Sequence, residues 1–182
     1  RIKKPVLIMD VKTQLSPAGG LGNLATDALV MVVVGQAVPP GLDKSLGALL
    51  SDAVTHGDFE FKPGRCLYLH RPGKVRAARL AFVAAADGSP KAFKTAVATA
   101  MGQLKALGVA DLTVASIGGQ ALTAAHAEAV VAAVSDAVYV YRHTKPSAPA
   151  APKLARVSLV AGKAQAVAVS QGLKQGQAVA AG

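Results

Sequence analysis

Residues alternate in character from Met9 to Leu15: Met9, Val11, Thr13 and Leu15 point one way, and Asp10, Lys12 and Gln14 the other. This is the pattern of a half-buried strand. Pro17 and the Gly19-Gly20-Leu21-Gly22 run turn it into a loop. Ala28 to Val34 is continuously apolar and β-branched, and too short for a typical helix. It predicts a central strand covered on both faces. Leu42, Leu46, Leu49, Leu50 and Val54 then recur at helical spacing, with Gly57 as the helix stop.

Lys62-Pro63-Gly64 and Pro72-Gly73 are turns around a strand, Arg65 to His70. Ala78 to Ala84 is the next strand, and the short connection predicts a hairpin. Ser89-Pro90 opens a helix: serine suits the N-cap, and proline the first helical position, where its missing N–H costs nothing. Its buried stripe is Phe93, Val97, Met101, Leu104 and Leu107, with Gly108 as cap. Asp111 to Ile117 is a strand closed by Gly118-Gly119. A helix from about Thr123 to Arg142 follows, its face carrying Val130, Val134, Val138 and Tyr141. Pro146, Pro149 and Pro152 mark a loop, Leu154 to Ala161 a last strand, and the alanine-rich stretch from Lys163 a last helix. Strands alternating with helices, apart from one hairpin, predict an α/β fold: a single mixed sheet with helices on both faces.

A chain of 182 residues, 52% hydrophobic and 16% charged, fits one domain and excludes a disordered one. The single cysteine, Cys66, forms no internal disulfide and suits a reducing cytoplasm. The longest apolar run, Ala28 to Val34, is far short of the roughly 18 residues a membrane-spanning helix needs. Aromatics at 4%, with no tryptophan, argue against a base-stacking platform for single strands.

Charge changes the picture more. The net +10 is uneven: residues 62–79 hold six cations and no acid, and residues 137–182 another six with no acid. The candidate contacts for phosphate or DNA are Lys62, Arg65, Arg71, Lys74, Arg76, Arg79, Arg142 and Lys145. Alternation along a strand lets only about half of the hairpin cations share one surface. A solvated basic surface is the simpler reading of the same residues.

Catalytic chemistry is sparse. His56, His70, His126 and His143 are scattered, without ligand spacing to one another or to Cys66. His126 reads as a helix-surface residue and Cys66 as a buried structural thiol. Ser16, Ser116 and Ser158 lack a nucleophile-elbow context. Gly118-Gly119 offers backbone amides to an anion, but a plain strand-to-helix turn explains it equally. Residue chemistry alone ends at an α/β domain with basic patches.

The order of these pieces resembles the N-terminal domain of the leucyl aminopeptidases, the cytosol aminopeptidase family. The resemblance is carried by Asp58-Phe59-Glu60-Phe61-Lys62-Pro63-Gly64-Arg65-Cys66-Leu67-Tyr68-Leu69-His70, by the strand Ala78 to Ala86, by Leu42-Asp43 ahead of Leu46-Gly47-Ala48-Leu49-Leu50, and by Gln171-Gly172-Leu173 with Ala178 to Gly182. It implies a three-layer α/β/α fold similar to macro domains over residues 9–162. Residues 163–182 would begin the helix leading to a C-terminal catalytic domain, and residues 1–8 would be an upstream extension or a cloning remnant. It also implies a cytoplasmic homohexamer acting on peptides, with two divalent metals, zinc or manganese, held in that catalytic domain. The family signature Asn-Thr-Asp-Ala-Glu-Gly-Arg-Leu is absent from this sequence, so no catalytic or metal-binding role carries over to it. Some bacterial members also bind DNA and act in transcription control or site-specific recombination, which makes a DNA-binding module the alternative role for this domain. Binding of ADP-ribose follows only from fold analogy.

Overall fold

The computed structural model describes residues 9–119, 121–144 and 154–181, and the side chains of residues 139–144 are not part of the description. Residues 1–8, Lys145 and Gly182 lie outside it. Six strands, β1 (Asp10–Leu15), β2 (Ala28–Val33), β3 (Cys66–His70), β4 (Arg79–Ala84), β5 (Asp111–Ile117) and β6 (Arg156–Ala161), form one sheet in the order β1-β6-β5-β2-β4-β3. All neighbours run parallel except β3, which returns antiparallel beside β4 as the predicted hairpin. Among the described residues four α-helices, α1 (Lys44–Thr55), α2 (Pro90–Leu104), α3 (Ala124–Thr144) and α4 (Ala166–Ala181), and one 3-10 turn, Leu21–Asn23, complete the fold.

The apolar run at β2 sits inside the sheet, hydrogen-bonded to β4 and β5, and every one of its residues is fully buried. Its pleat serves two cores. Val30 and Val32 face the layer of α2, α3 and α4, with Phe93, Val97, Val130, Val134, Val169 and Leu173. Leu29, Met31 and Val33 face α1, with Leu46, Leu50 and Phe59. On the α1 side, the irregular segment carrying Leu21 and Leu24 does part of the covering. The result is a three-layer α/β/α fold with a mixed central sheet.

The predicted helix signals hold at most ends. Ser89 Oγ accepts the Ala92 N–H at 3.2 Å, with Pro90 opening α2. Gly57 follows the C-cap of α1 with a left-handed φ of 79°. Gly108 does not cap α2: the helix ends at Leu104, with Lys105 still right-handed, because a tight turn running from Leu104 to Val109 intervenes.

Helix α4 belongs to the core. Its Val169, Gly172, Leu173 and Gly176 are buried, and Ser170 Oγ bonds Thr13 Oγ1 of β1 at 2.6 Å. The crossing with α3 depends on glycine: a Cβ at Gly172 would meet the Ala124 backbone, its Cα at 2.7 Å. Gly172→Ala is therefore expected to destabilise the fold by about 1–3 kcal/mol, although alanine is the better helix former. Gly102 in α2 has open space around it. Gly102→Ala is expected to stabilise by up to about 1 kcal/mol. Urea denaturation of the two variants checks this opposition of sign; equal effects would remove the close-crossing argument.

Candidate functional site

The candidate cations divide between the two ends of the sheet. β3 pairs with β4 from Cys66 opposite Val83 to His70 opposite Arg79. Lys62 and Arg65 precede β3, while Arg71, Lys74, Arg76 and Arg79 follow it. The strand between them is about 13 Å or more long at 3.3 Å per residue.

At the first end, Glu60 takes both cations. Lys62 Nζ lies 2.9 Å from one carboxylate oxygen and Arg65 Nη2 3.5 Å from the other. The hydrogen bond from Lys62, then the charges of Lys62 and Arg65, hold the Glu60 carboxyl below its usual range. One carboxylate serves both cations, so this group of three keeps a net charge of +1. The signal was present in the Asp58-Phe59-Glu60-Phe61 run, just before the acid-free stretch begins.

At the other end, Arg71, Lys74 and Arg76 are exposed and Arg79 is half-buried. Among the described residues, none of the four has a carboxylate within ion-pair distance. Arg71 and Lys74 adopt left-handed φ values of 46° and 64° on either side of Pro72-Gly73. For a residue with a Cβ this costs roughly 1–2 kcal/mol.

Tertiary bonds hold the loop: Arg71 N–H donates to Ala78 O at 2.8 Å, Arg76 N–H to Gly22 O at 2.9 Å, and Ala78 N–H to Thr26 O at 3.2 Å. The Gly20–Gly22 turn is itself fixed from α1, because the Asp43 carboxylate accepts the N–H groups of Leu21 and Gly22. Gly20, at φ 88°, leaves room for that carboxylate. Sequence reasoning saw the glycines as a loop and missed Asp43 as the anion they bind.

Of the second basic stretch, neither candidate falls within the described side chains. Arg142 falls on the last turn of α3, and Lys145 lies outside the described residues. Arg156 is paired with Asp10 at 3.7 Å and Asp111 at 3.9 Å. Asp27 sits between the two regions, accepting the N–H groups of Ala110 and Asp111 at 3.0 and 3.1 Å. Asp27 and Asp111 therefore lie at the starting ends of β2 and β5, between Arg156 on β6 and the β3–β4 loop, with Asp10 on β1 beyond Arg156.

Gly118 at the end of β5 is left-handed at φ 76°, and a Cβ there would run into the Val34 carbonyl and Pro39. Its glycine answers a close packing of two chain segments.

Cys66 is half-buried rather than buried, because β3 is an edge strand, and burial pushes its thiol up from the ordinary range. It is not an activated nucleophile. Among the described residues, no three His, Cys, Asp or Glu side chains converge to hold a metal ion.

His126 corrects the sequence reading. It is 5% exposed, not a surface residue. Its Nδ1 accepts the Thr123 N–H at 3.1 Å, so Nε2 carries the hydrogen and donates to Gly88 O at 2.8 Å. The ring lies edge-on to Phe93, with centroids 5.5 Å apart. It ties the start of α3 to the loop before α2. Local spacing does not reveal this burial, since the tie to Gly88 spans 38 residues.

The family described as "Cytosol aminopeptidase family, N-terminal domain" matches residues 30–147. A "Probable cytosol aminopeptidase" of Methylibium petroleiphilum is 49% identical over 174 residues, covering 96% of this chain and 36% of that protein. One of Polaromonas naphthalenivorans is 40% identical over 138 residues, covering 72% and 26%. The chain thus spans about a third of the length of such relatives. Among solved structures, a mutant of tomato leucine aminopeptidase superposes with TM-score 0.68 at 17% identity, over 95% of this chain and 36% of that one. A Trypanosoma brucei macrodomain in complex with ADP gives 0.60 at 11%, over 90% and 69%. These two likenesses establish the macro-domain-like fold.

His126→Ala would remove a buried ring packed against Phe93 together with its bonds to the Gly88 carbonyl and the Thr123 N–H. A loss of about 2 kcal/mol or more is expected in thermal or urea unfolding. A variant as stable as the parent would show that water replaces the imidazole without cost.

Proposed function

The chain belongs to the cytosol aminopeptidase family as its N-terminal domain, and from that premise we propose that it is the non-catalytic domain of a metal-dependent leucyl aminopeptidase that removes N-terminal residues from peptides. In this reading it supports assembly of a cytoplasmic homohexamer and access to the active site. The observation that carries it is the family match over residues 30–147, joined to a domain whose described residues bring no metal-ligand set together. The side chains described here do not fit two divalent ions, zinc or manganese; the reading assigns those ligands to the remaining two-thirds of such a protein. No helix among the described residues is long and apolar enough to cross a membrane.

The chain's own contribution is mechanical. A sheet buried on both faces, with helices locked by close crossings, is a stiff body for a partner domain to be placed against. The test is turnover of leucine p-nitroanilide with added manganese. No activity is expected from this chain alone. Activity is expected from a chimaera in which it replaces the 174-residue segment it matches in the Methylibium petroleiphilum protein. Robust turnover by the isolated chain would overturn the non-catalytic assignment.

A second reading, a DNA-binding module of a bacterial aminopeptidase that doubles as a transcription or recombination factor, is favoured by one observation: Arg71, Lys74 and Arg76 on the β3–β4 loop and Arg79 at the start of β4 have no ion pairs among the described residues. No base-reading element accompanies them, so binding would be sequence-independent, with Kd on the order of 10⁻⁴–10⁻⁶ M. Three or four phosphate contacts predict a loss of roughly 40- to 150-fold between 50 and 200 mM salt. Fluorescence anisotropy with duplex DNA measures it. Binding unchanged when Arg71, Lys74 and Arg76 become alanine would return the loop to a solvated surface.

A further inference from the structure

Strand β3 closes one edge of the sheet. Ala84 N–H donates to Arg65 O at 2.9 Å and Arg71 N–H to Ala78 O at 2.8 Å, one bond at each end of its pairing with β4. In an antiparallel ladder, alternate residues turn their backbone groups toward the partner strand. Arg65, Leu67, Leu69 and Arg71 therefore face β4, and Cys66, Tyr68 and His70 present their N–H and C=O groups away from it. Among the described residues nothing bonds these outward groups. Both faces of the strand are taken: Cys66 and Tyr68 pack on one core, Leu67 and Leu69 on the other. What stays open is the edge.

Edge strands are ordinarily guarded from within by a charge, a proline or a bulge. The other edge strand, β1, carries Asp10 and Lys12. In β3, Cys-Leu-Tyr-Leu-His holds no Lys, Arg, Asp, Glu or Pro, and its unbroken register with β4 leaves no bulge. Its cations stand at the two ends instead. Lys62 and Arg65 share Glu60 before the strand, and Arg71, Lys74 and Arg76 follow it. Against a second copy of this chain they are a barrier. A two-fold antiparallel pairing about Tyr68 sets Arg65 opposite Arg71 of the copy, and Lys62 opposite Lys74. Against a chain with acids on both flanks the same cations are complementary.

We infer that the β3 edge is a docking site for an extended segment of another protein, uncharged through its centre and acidic on both flanks, which joins the sheet as an added strand. The backbone groups of Cys66, Tyr68 and His70 hold its centre, and the cations at either end of β3 hold its flanks. This inference stands apart from the peptidase reading. It competes with the nucleic-acid reading for Arg71, Lys74 and Arg76.

The probe is a fluorescein-labelled peptide, Glu-Glu-Thr-Val-Thr-Val-Thr-Glu-Glu, titrated into this chain at low salt. Saturable binding is expected. N-methylation of the central residues keeps the peptide's charge and removes its strand pairing, and is expected to weaken binding roughly tenfold or more. The double variant Arg71→Glu/Lys74→Glu is expected to weaken it by about the same factor. At saturation, amide hydrogen exchange at Cys66, Tyr68 and His70 is expected to slow about fivefold or more, while Leu67 and Leu69, already bonded to β4, exchange as before. Absence of binding overturns the inference, as does an N-methylated peptide that binds as tightly as its parent. Duplex DNA that binds through Arg71 and Lys74, and that excess peptide does not displace, overturns the choice of occupant.

Discussion

Burial of β2 on both faces is the constraint from which the rest of the structure follows. A strand with no water on either side must have paired neighbours and a helical layer above and below. Each face is matched by a separate apolar cluster, one built on α2, α3 and α4 and the other on α1 with its adjoining loops. The uneven division, three helices against one, is why an irregular segment carrying Leu21 and Leu24 must help seal the α1 side. That segment in turn braces the β3–β4 loop through the Gly22 carbonyl.

Much of this was legible in the sequence because it is periodic or local. The continuous run at β2, the alternation at β1, the Ser89-Pro90 start and the hairpin around Pro72-Gly73 each follow from neighbours a few residues apart. What escaped is non-local. The hydrogen bonds of His126 reach back to Gly88, and a glycine at 172 matters only because α3 passes beside it. The Gly108 misreading has a related cause: a tight turn after Leu104 ends the helix before the glycine is reached.

The candidate site shows the same division. Counting charges along the chain found where the cations concentrate, but not which of them are free to act. Glu60 is shared by Lys62 and Arg65 and offsets one of their two charges, and Asp10 and Asp111 occupy Arg156. Electrostatic pairing depends on distance in space, and Asp10 stands 146 positions from Arg156 while opposing it in the sheet register. The three cations of the β3–β4 loop, with Arg79 at the start of β4, are a smaller and more localised feature than a net charge of +10 suggests.

The position of β1 has a consequence for biosynthesis. This strand is at the sheet's edge and pairs only with β6, Asp10 lying opposite Arg156. At about 5–20 residues per second, a ribosome needs roughly 7–30 s to make the intervening chain. During that interval β2, β4 and β5 have each other, while the first strand to emerge has no partner in the sheet. Within this sheet β1 must therefore wait for β6, and it stays available to chaperones longer than any other of the six strands.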